Sequence, residues 1–208
     1  MTRHLGLLAV VLAAPATTRG ADPKDWPSYN GAANGWRFNA SEKMLGPKNV
    51  GRLEEKWRFP AKGSDLKIGA VQATPIVVEG HVYFGTVNKP AVYALTPDGR
   101  LKWSYTLPTR TSGGGLTYDR SVSGAKGGKG EKEESGVYGS ALVTPDAVYF
   151  ADLAGVLFAL DCRTGKEKWT VDTRGKEFPG AHPLNGTFAS PILADGKVIF
   201  AGGAFEQW

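Results

Sequence analysis

From about residue 69 onward, apolar positions fall in runs of four or five bounded by Gly, Pro, Asp or Thr. That pattern predicts short β-strands joined by tight turns, with hardly any helix. The clearest unit is Ala159-Leu160-Asp161-Cys162-Arg163-Thr164-Gly165-Lys166-Glu167-Lys168-Trp169. A weaker copy lies upstream at Ala94-Leu95-Thr96-Pro97-Asp98-Gly99-Arg100-Leu101-Lys102-Trp103. In each, an apolar strand runs into a polar turn at Asp98-Gly99 or Thr164-Gly165, where Gly supplies a positive φ, and a strand ending in Trp follows. The first copy is one residue shorter at the turn and carries Pro97-Asp98 where the second has Asp161 and the Thr164-Gly165 pair.

The flanks repeat in the same order. Small-residue lead-ins at Ala73-Thr74-Pro75, Ser140-Ala141 and Ala189-Ser190-Pro191 each open a strand, a turn and a second strand rich in Val and aromatics. Residues 53–59 (Leu-Glu-Glu-Lys-Trp-Arg-Phe) read as the closing strand of a further unit. The closing residues Trp57, Trp103 and Trp169 are 46 and 66 apart, and the Val-aromatic strands begin at 82, 148 and 198. The base period of about 46–50 is that of β-propeller blades and kelch-like arrays. The longer interval holds residues 109–136, a Gly-, Ser-, Lys- and Glu-rich stretch with no apolar periodicity, read as a disordered insertion on one rim. Three Trp residues at one repeat position point to packing between blades.

The N-terminus bears on the compartment. Arg3 and His4 precede an apolar run over residues 5–14, too short for a membrane-spanning helix, and small residues suited to peptidase cleavage follow. This predicts a signal peptide over 1–20, a periplasmic or secreted protein, and no membrane span. Cys162 is the chain's single cysteine, which excludes an intramolecular disulfide and a CxxC metal or haem site. The formal charge is +5, and 23 basic against 20 acidic residues remain once Arg3 and Arg19 leave with the leader. Lys126, Lys129 and Lys132 sit beside Glu131, Glu133 and Glu134, so the charge does not build the basic aromatic face that nucleic acid requires.

The lead-in, hairpin and AxDxxTGxxxW order resembles the repeats of the pyrroloquinoline-quinone (PQQ) type β-propellers. The block from Asp25-Trp26-Pro27-Ser28-Tyr29-Asn30-Gly31 through residue 59 is similar to the opening of their dehydrogenase branches. The resemblance implies an all-β fold, a partial β-propeller of four-stranded antiparallel blades. It implies little about chemistry, because that propeller carries both enzymes and scaffolds. In the enzymes a Glu before the first lead-in contacts the quinone; Gln72 stands there, able to hydrogen-bond but uncharged. The family's vicinal cysteine pair has no counterpart. The resemblance makes Arg120 a second quinone contact and Glu206 a calcium ligand. Ordinary loop hydrogen bonding is the competing role for Gln72 and Arg120, and an exposed edge charge the competing role for Glu206.

The chain therefore divides into a leader (1–20), an extended segment (21–52) and about three blades with part of a fourth (53–208). Trp57, Trp103, Trp169, Asp161, Thr164 and Gly165 are its structural repeat residues. This is too few blades to close a ring, so the chain is expected to be a fragment or to associate through an open blade edge. The leading functional expectation is an exported binding or scaffold module holding a protein or small molecule on its propeller face, with no cofactor requirement. The alternative is part of a PQQ- and Ca²⁺-dependent alcohol dehydrogenase of polyvinyl-alcohol type.

Overall fold

The structure is a computed structural model that describes residues 9–13, 25–31, 37–39, 42–108, 110–111, 132–133, 136–153, 155–172 and 189–201. Among these the regular elements are strands apart from one 3₁₀ turn, Val50–Arg52. In chain order they are β1 (Ala9–Ala13), β2 (Ile76–Val78), β3 (His81–Gly85), β4 (Ala91–Leu95), β5 (Leu101–Thr106), β6 (Arg110–Thr111) and β7 (Lys132–Glu133). There follow β8 (Leu142–Val143), β9 (Ala147–Ala151), β10 (Val156–Asp161), β11 (Glu167–Asp172), β12 (Ile192–Ala194) and β13 (Lys197–Ala201). Strands β2 to β5 and β8 to β11 form two four-stranded antiparallel meanders, and β12, β13 and β1 form a third sheet. The all-β reading and the four-stranded blades are thus observed.

The blades stack face to face, and the strand pattern follows from this. In β4 and β9 every residue is buried, because both sides of each strand are covered: β9 lies between the first blade and the third sheet, and β4 between the second blade and the segment carrying Trp57, Phe59 and Ile68. Alternate residues sort to opposite faces. Val148, Phe150, Val156, Phe158 and Leu160 of the second blade join Ile76, Tyr83, Val92 and Ala94 of the first. The intervening Ala147, Tyr149, Ala151, Leu157 and Ala159 face Val198 and Phe200 of the third sheet. The outer strand β5 is only partly covered: Leu101, Ser104 and Thr106 are exposed, Lys102 and Tyr105 half-buried, and Trp103 buried. Directly paired aromatics stack within each blade, Phe84 on Tyr93 at 5.2 Å and Phe150 on Phe158 at 4.8 Å between ring centroids.

The seam between blades is built from the hairpin turns. Gly165 has φ +70, and a Cβ there would sit 2.6–2.9 Å from three ring carbons of Trp103 in the blade before. Gly99, at φ +79, meets Trp57 in the same way. Only a residue without a Cβ both adopts this backbone and leaves room for the ring. Trp103 is buried and its indole N–H donates to the Cys162 carbonyl at 3.0 Å, so ring and turn are joined by packing and by a hydrogen bond. The turn that receives the ring is held by Asp161. Its Oδ1 accepts the Thr164 amide and hydroxyl, both at 2.8 Å, and the Gly165 amide donates to the Asp161 carbonyl at 2.8 Å. These bonds, led by the Thr164 hydroxyl, hold the Asp161 carboxyl below its ordinary range. In the shorter copy, Arg100 and Thr96 bind Asp98 and lower its pKa to about 2.

Cys162 also takes part in the seam. Its Sγ lies 3.3 Å from the Tyr83 hydroxyl of the first blade, and burial, followed by this contact, pushes the Tyr83 phenol up. Small residues opposite the rings make room for them: Trp103 pairs with Ala94 and Trp169 with Ala159, each beside a register shift in the ladder.

Two observations differ from the pattern-based expectations, and a third adds a pairing that they did not address. Residues 53–59, read as a closing strand, carry no ladder assignment. Leu53 is exposed, while Trp57 and Phe59 pack on the outer face of the first blade, because a strand forms only where another offers its backbone. Arg110–Thr111 and Lys132–Glu133 pair as a short ribbon, which the lack of apolar periodicity gave no reason to expect. The residues between them lie outside the described residues. The apolar run read as a leader supplies β1, paired with β13.

Trp169 is only half-buried, against Tyr149 and the third sheet. Trp103→Ala is therefore expected to destabilise by about 3–5 kcal/mol and Trp169→Ala by clearly less, as read from urea melts. Equal losses would contradict the seam described here. For Asp98, whose folded-state pKa is depressed, the stabilisation is complete above the unfolded value of about 4 and is lost as pH falls through about 2. The gap in melting temperature between wild type and Asp98→Ala should accordingly shrink across that interval. A gap independent of pH would count against a carboxylate-held turn.

Candidate functional site at the blade lead-ins

The segments that open each blade share a composition that places them side by side. Thr74, Ser140 and Ser190 occupy the same repeat position, each after a small residue, Ala73, Gly139 or Ala189. Ser140 is buried and bridges all three: its amide donates to Ser190 Oγ at 2.9 Å and its hydroxyl donates to the Thr74 carbonyl at 2.9 Å. Gly139 permits the approach, since a Cβ there would stand 2.5 Å from the Ala189 carbonyl oxygen. A hydroxyl at this position thus ties each lead-in to its neighbour. Small-residue composition alone does not reveal this relay; its signal in the sequence is the recurrence of Ser or Thr two residues before each first strand.

The chain leaving the insertion is threaded into the same place. The Val137 amide donates to the Thr86 carbonyl at 3.0 Å, and the Leu153 amide to the Gly136 carbonyl at 2.9 Å. Thr86 is buried, and its hydroxyl accepts the Ala91 amide at 3.0 Å and donates to the Lys89 carbonyl at 2.8 Å, which closes the turn from β3 to β4. On the other side the Val87 amide donates to the Ala70 carbonyl at 2.9 Å. Residues 69–74 and 136–140 therefore run against the same turn, with every bond just named supplied by a backbone group or a hydroxyl.

Gln72 lies on this rim. It is exposed, two residues from the carbonyl that Ser140 binds, between exposed Val71 and buried Ala73. A glutamine amide carries a donor and an acceptor but no charge for a divalent cation. Arg120 and Glu206, the other expected contacts, lie outside the described residues. Among the described residues no three His, Cys, Asp or Glu side chains gather where they could hold a metal ion, and no helix is long and apolar enough to cross a membrane.

Known proteins give this geometry its class. Residues 26–141 match the family described as PQQ: glucose/ethanol/alcohol dehydrogenase, beta-propeller domain, and the chain belongs to that family. It is 31% identical over 93% of its length to the dehydrogenase subunit of alcohol dehydrogenase (quinone) from Gluconobacter oxydans. To quinohemoprotein alcohol dehydrogenase ADH-IIG from Pseudomonas putida it is 31% identical over 97% of its length. The crystal structure of quinohemoprotein alcohol dehydrogenase from Comamonas testosteroni superposes with a TM-score of 0.59 at 26% identity, over 86% of this chain and 23% of that one. The chain spans about a quarter of these relatives, 23% and 26% of the two sequences.

Ser140→Ala would remove the hydroxyl that donates to the part-buried Thr74 carbonyl and is expected to cost about 1–3 kcal/mol. Amide exchange should speed up in residues 73–76 more than in β10. Uniform acceleration, or none, would show that Ser140 does not tie the lead-ins together.

Proposed function

We propose that this chain forms part of the propeller of a PQQ- and Ca²⁺-dependent alcohol dehydrogenase, exported to the periplasm, and that the rim carrying Gln72 is its contribution to the quinone site. The observation that carries the reading is similarity along nine-tenths of the chain to quinone-dependent alcohol dehydrogenases. The relay through Ser140 supports it, because it fixes the backbone on which Gln72 stands. The bound quinone would accept a hydride equivalent, two electrons and one proton, from an alcohol, whose hydroxyl proton would leave separately. The chain's own residues would hold and orient it: Gln72 by hydrogen bonds to a ring oxygen, Arg120 by charge, and Glu206 toward the cation. Ca²⁺ takes six to eight oxygens, so most of its shell would come from parts of the relatives that have no counterpart in these 208 residues.

One residue favours a second reading, that of a binding or scaffold module acting through the blade face. Gln72 replaces the carboxylate that the resemblance leads one to expect, and an uncharged amide there serves a protein surface as well as a quinone.

Titration of PQQ into the purified chain with and without Ca²⁺, read by tryptophan fluorescence, separates the two. The dehydrogenase reading predicts weak binding that Gln72→Ala reduces and that Gln72→Glu makes stronger and calcium-dependent, with melting temperatures unchanged. Superimposable titrations for all three proteins would favour the scaffold. Dye-linked oxidation of primary alcohols by the 208-residue chain alone is expected to be absent.

A further inference from the structure

The lead-ins of the first two blades carry equivalent residues at one more position. Gln72 stands four residues before β2 and Tyr138 four before β8, each followed by a buried small residue, Ala73 or Gly139, and then by a hydroxyl residue, Thr74 or Ser140. The Ser140 hydroxyl donates to the Thr74 carbonyl, which ties the two segments together two residues further along. Both positions therefore lie on one rim, on neighbouring blades. The neighbours of Tyr138 are taken up by packing: Val137 is buried where a Cβ on Gly85 would stand 2.5 Å from its side chain, and Gly139 is buried against the Ala189 carbonyl.

Residues 69–74 and 136–140 contain no charged side chain. Gln72 and Tyr138 are the two long polar side chains on them, the first exposed and the second half-buried. An amide carries a donor and an acceptor, and a phenol adds a hydroxyl that does both, together with a flat apolar ring. Such groups suit the face and the carbonyl oxygens of a planar ring. We propose, resting on the dehydrogenase reading, that Tyr138 is the second blade's contact for the quinone, beside Gln72 of the first, and that this pair holds a planar, carbonyl-bearing ring by hydrogen bonds and ring contact without an ion pair. The backbone beneath the pair is fixed by the Ser140 bond to Thr74 and by the Val137 amide on the Thr86 carbonyl, so little backbone order has to be gained on binding.

The juxtaposition is tested first without a ligand. In a Cys162→Ser background, Gln72→Cys and Tyr138→Cys are combined and treated with a short bis-maleimide. The control joins Gln72→Cys to Arg100→Cys, exposed on the β4–β5 turn at the opposite end of the first blade from the lead-in. The rim pair should crosslink within one chain several-fold above the control, and equal yields would overturn the proposal. Binding then tests the role. PQQ is titrated into the wild-type chain, Tyr138→Phe, Tyr138→Ala and Gln72→Ala at low and at high salt, read by tryptophan fluorescence, with melting temperatures recorded alongside. Loss of one uncharged hydrogen bond in Tyr138→Phe should weaken binding by about threefold to tenfold, by the same factor at both salt concentrations, and Tyr138→Ala should weaken it further. If Tyr138→Phe and Tyr138→Ala bind as the wild type does while Gln72→Ala binds more weakly, this proposal fails and the quinone reading stands. A Tyr138→Phe loss that vanishes at high salt would contradict recognition without an ion pair. A wild-type chain whose rim pair crosslinks but which binds no PQQ would overturn the quinone reading, and the role of Tyr138 with it.

Discussion

The contact of a tryptophan ring with a glycine turn in the following blade governs the rest of this structure. A four-stranded antiparallel sheet has two faces, and in a stacked array both must find cover; alternation in β4, β9 and β10 provides the side chains but not the distance between sheets. That distance is set where Trp103 fills the space that Gly165 leaves by lacking a Cβ, and where Trp57 does the same at Gly99. The positive φ at each glycine is part of the same constraint, because the turn must bend its backbone toward the ring. Asp161 then holds the turn from within, and the Trp103 indole N–H closes on the Cys162 carbonyl.

The inner ends of the blades depend on that spacing. With the sheets stacked at the seam, the first strands β2, β8 and β12 come near enough for one buried hydroxyl, Ser140, to reach the backbone on one side while its own amide reaches Ser190 on the other. Gly139 admits the close approach. The result is a rim of fixed backbone on which exposed groups such as Gln72 are presented. This arrangement, a rigid array carrying a variable rim, lets one propeller family serve several chemistries.

Much of the fold was legible because its determinants are local. The Glu79-Gly80 and Asp195-Gly196 turns have φ positive at both residues, as two-residue hairpins of this type require, and each stands as a dipeptide between two apolar runs of the sequence. The repeat position of Trp103 and Trp169 was also plain, but their different burial was not, since it depends on which sheet lies against each ring. Residues 53–59 have the composition of a strand yet no ladder, because pairing belongs to two segments and sequence displays one at a time. The pairing of β1 with β13 was hidden for the same reason. The candidate site was legible only as Gln72 beside a lead-in; the relay through Ser140 rests on a hydroxyl that composition alone does not separate from an ordinary small residue.

A double-mutant cycle between Trp103→Ala and Gly165→Ala tests most directly whether ring and turn act as one unit. Alone, Gly165→Ala should be costly, through overlap with the ring and through the positive φ. In the Trp103→Ala background the overlap disappears and only the backbone cost of about 1 kcal/mol should remain, so the two changes together cost less than their sum by about 1–3 kcal/mol. Strictly additive losses in urea melts would mean that the ring and the glycine stabilise the chain independently, and would contradict a seam set by their contact.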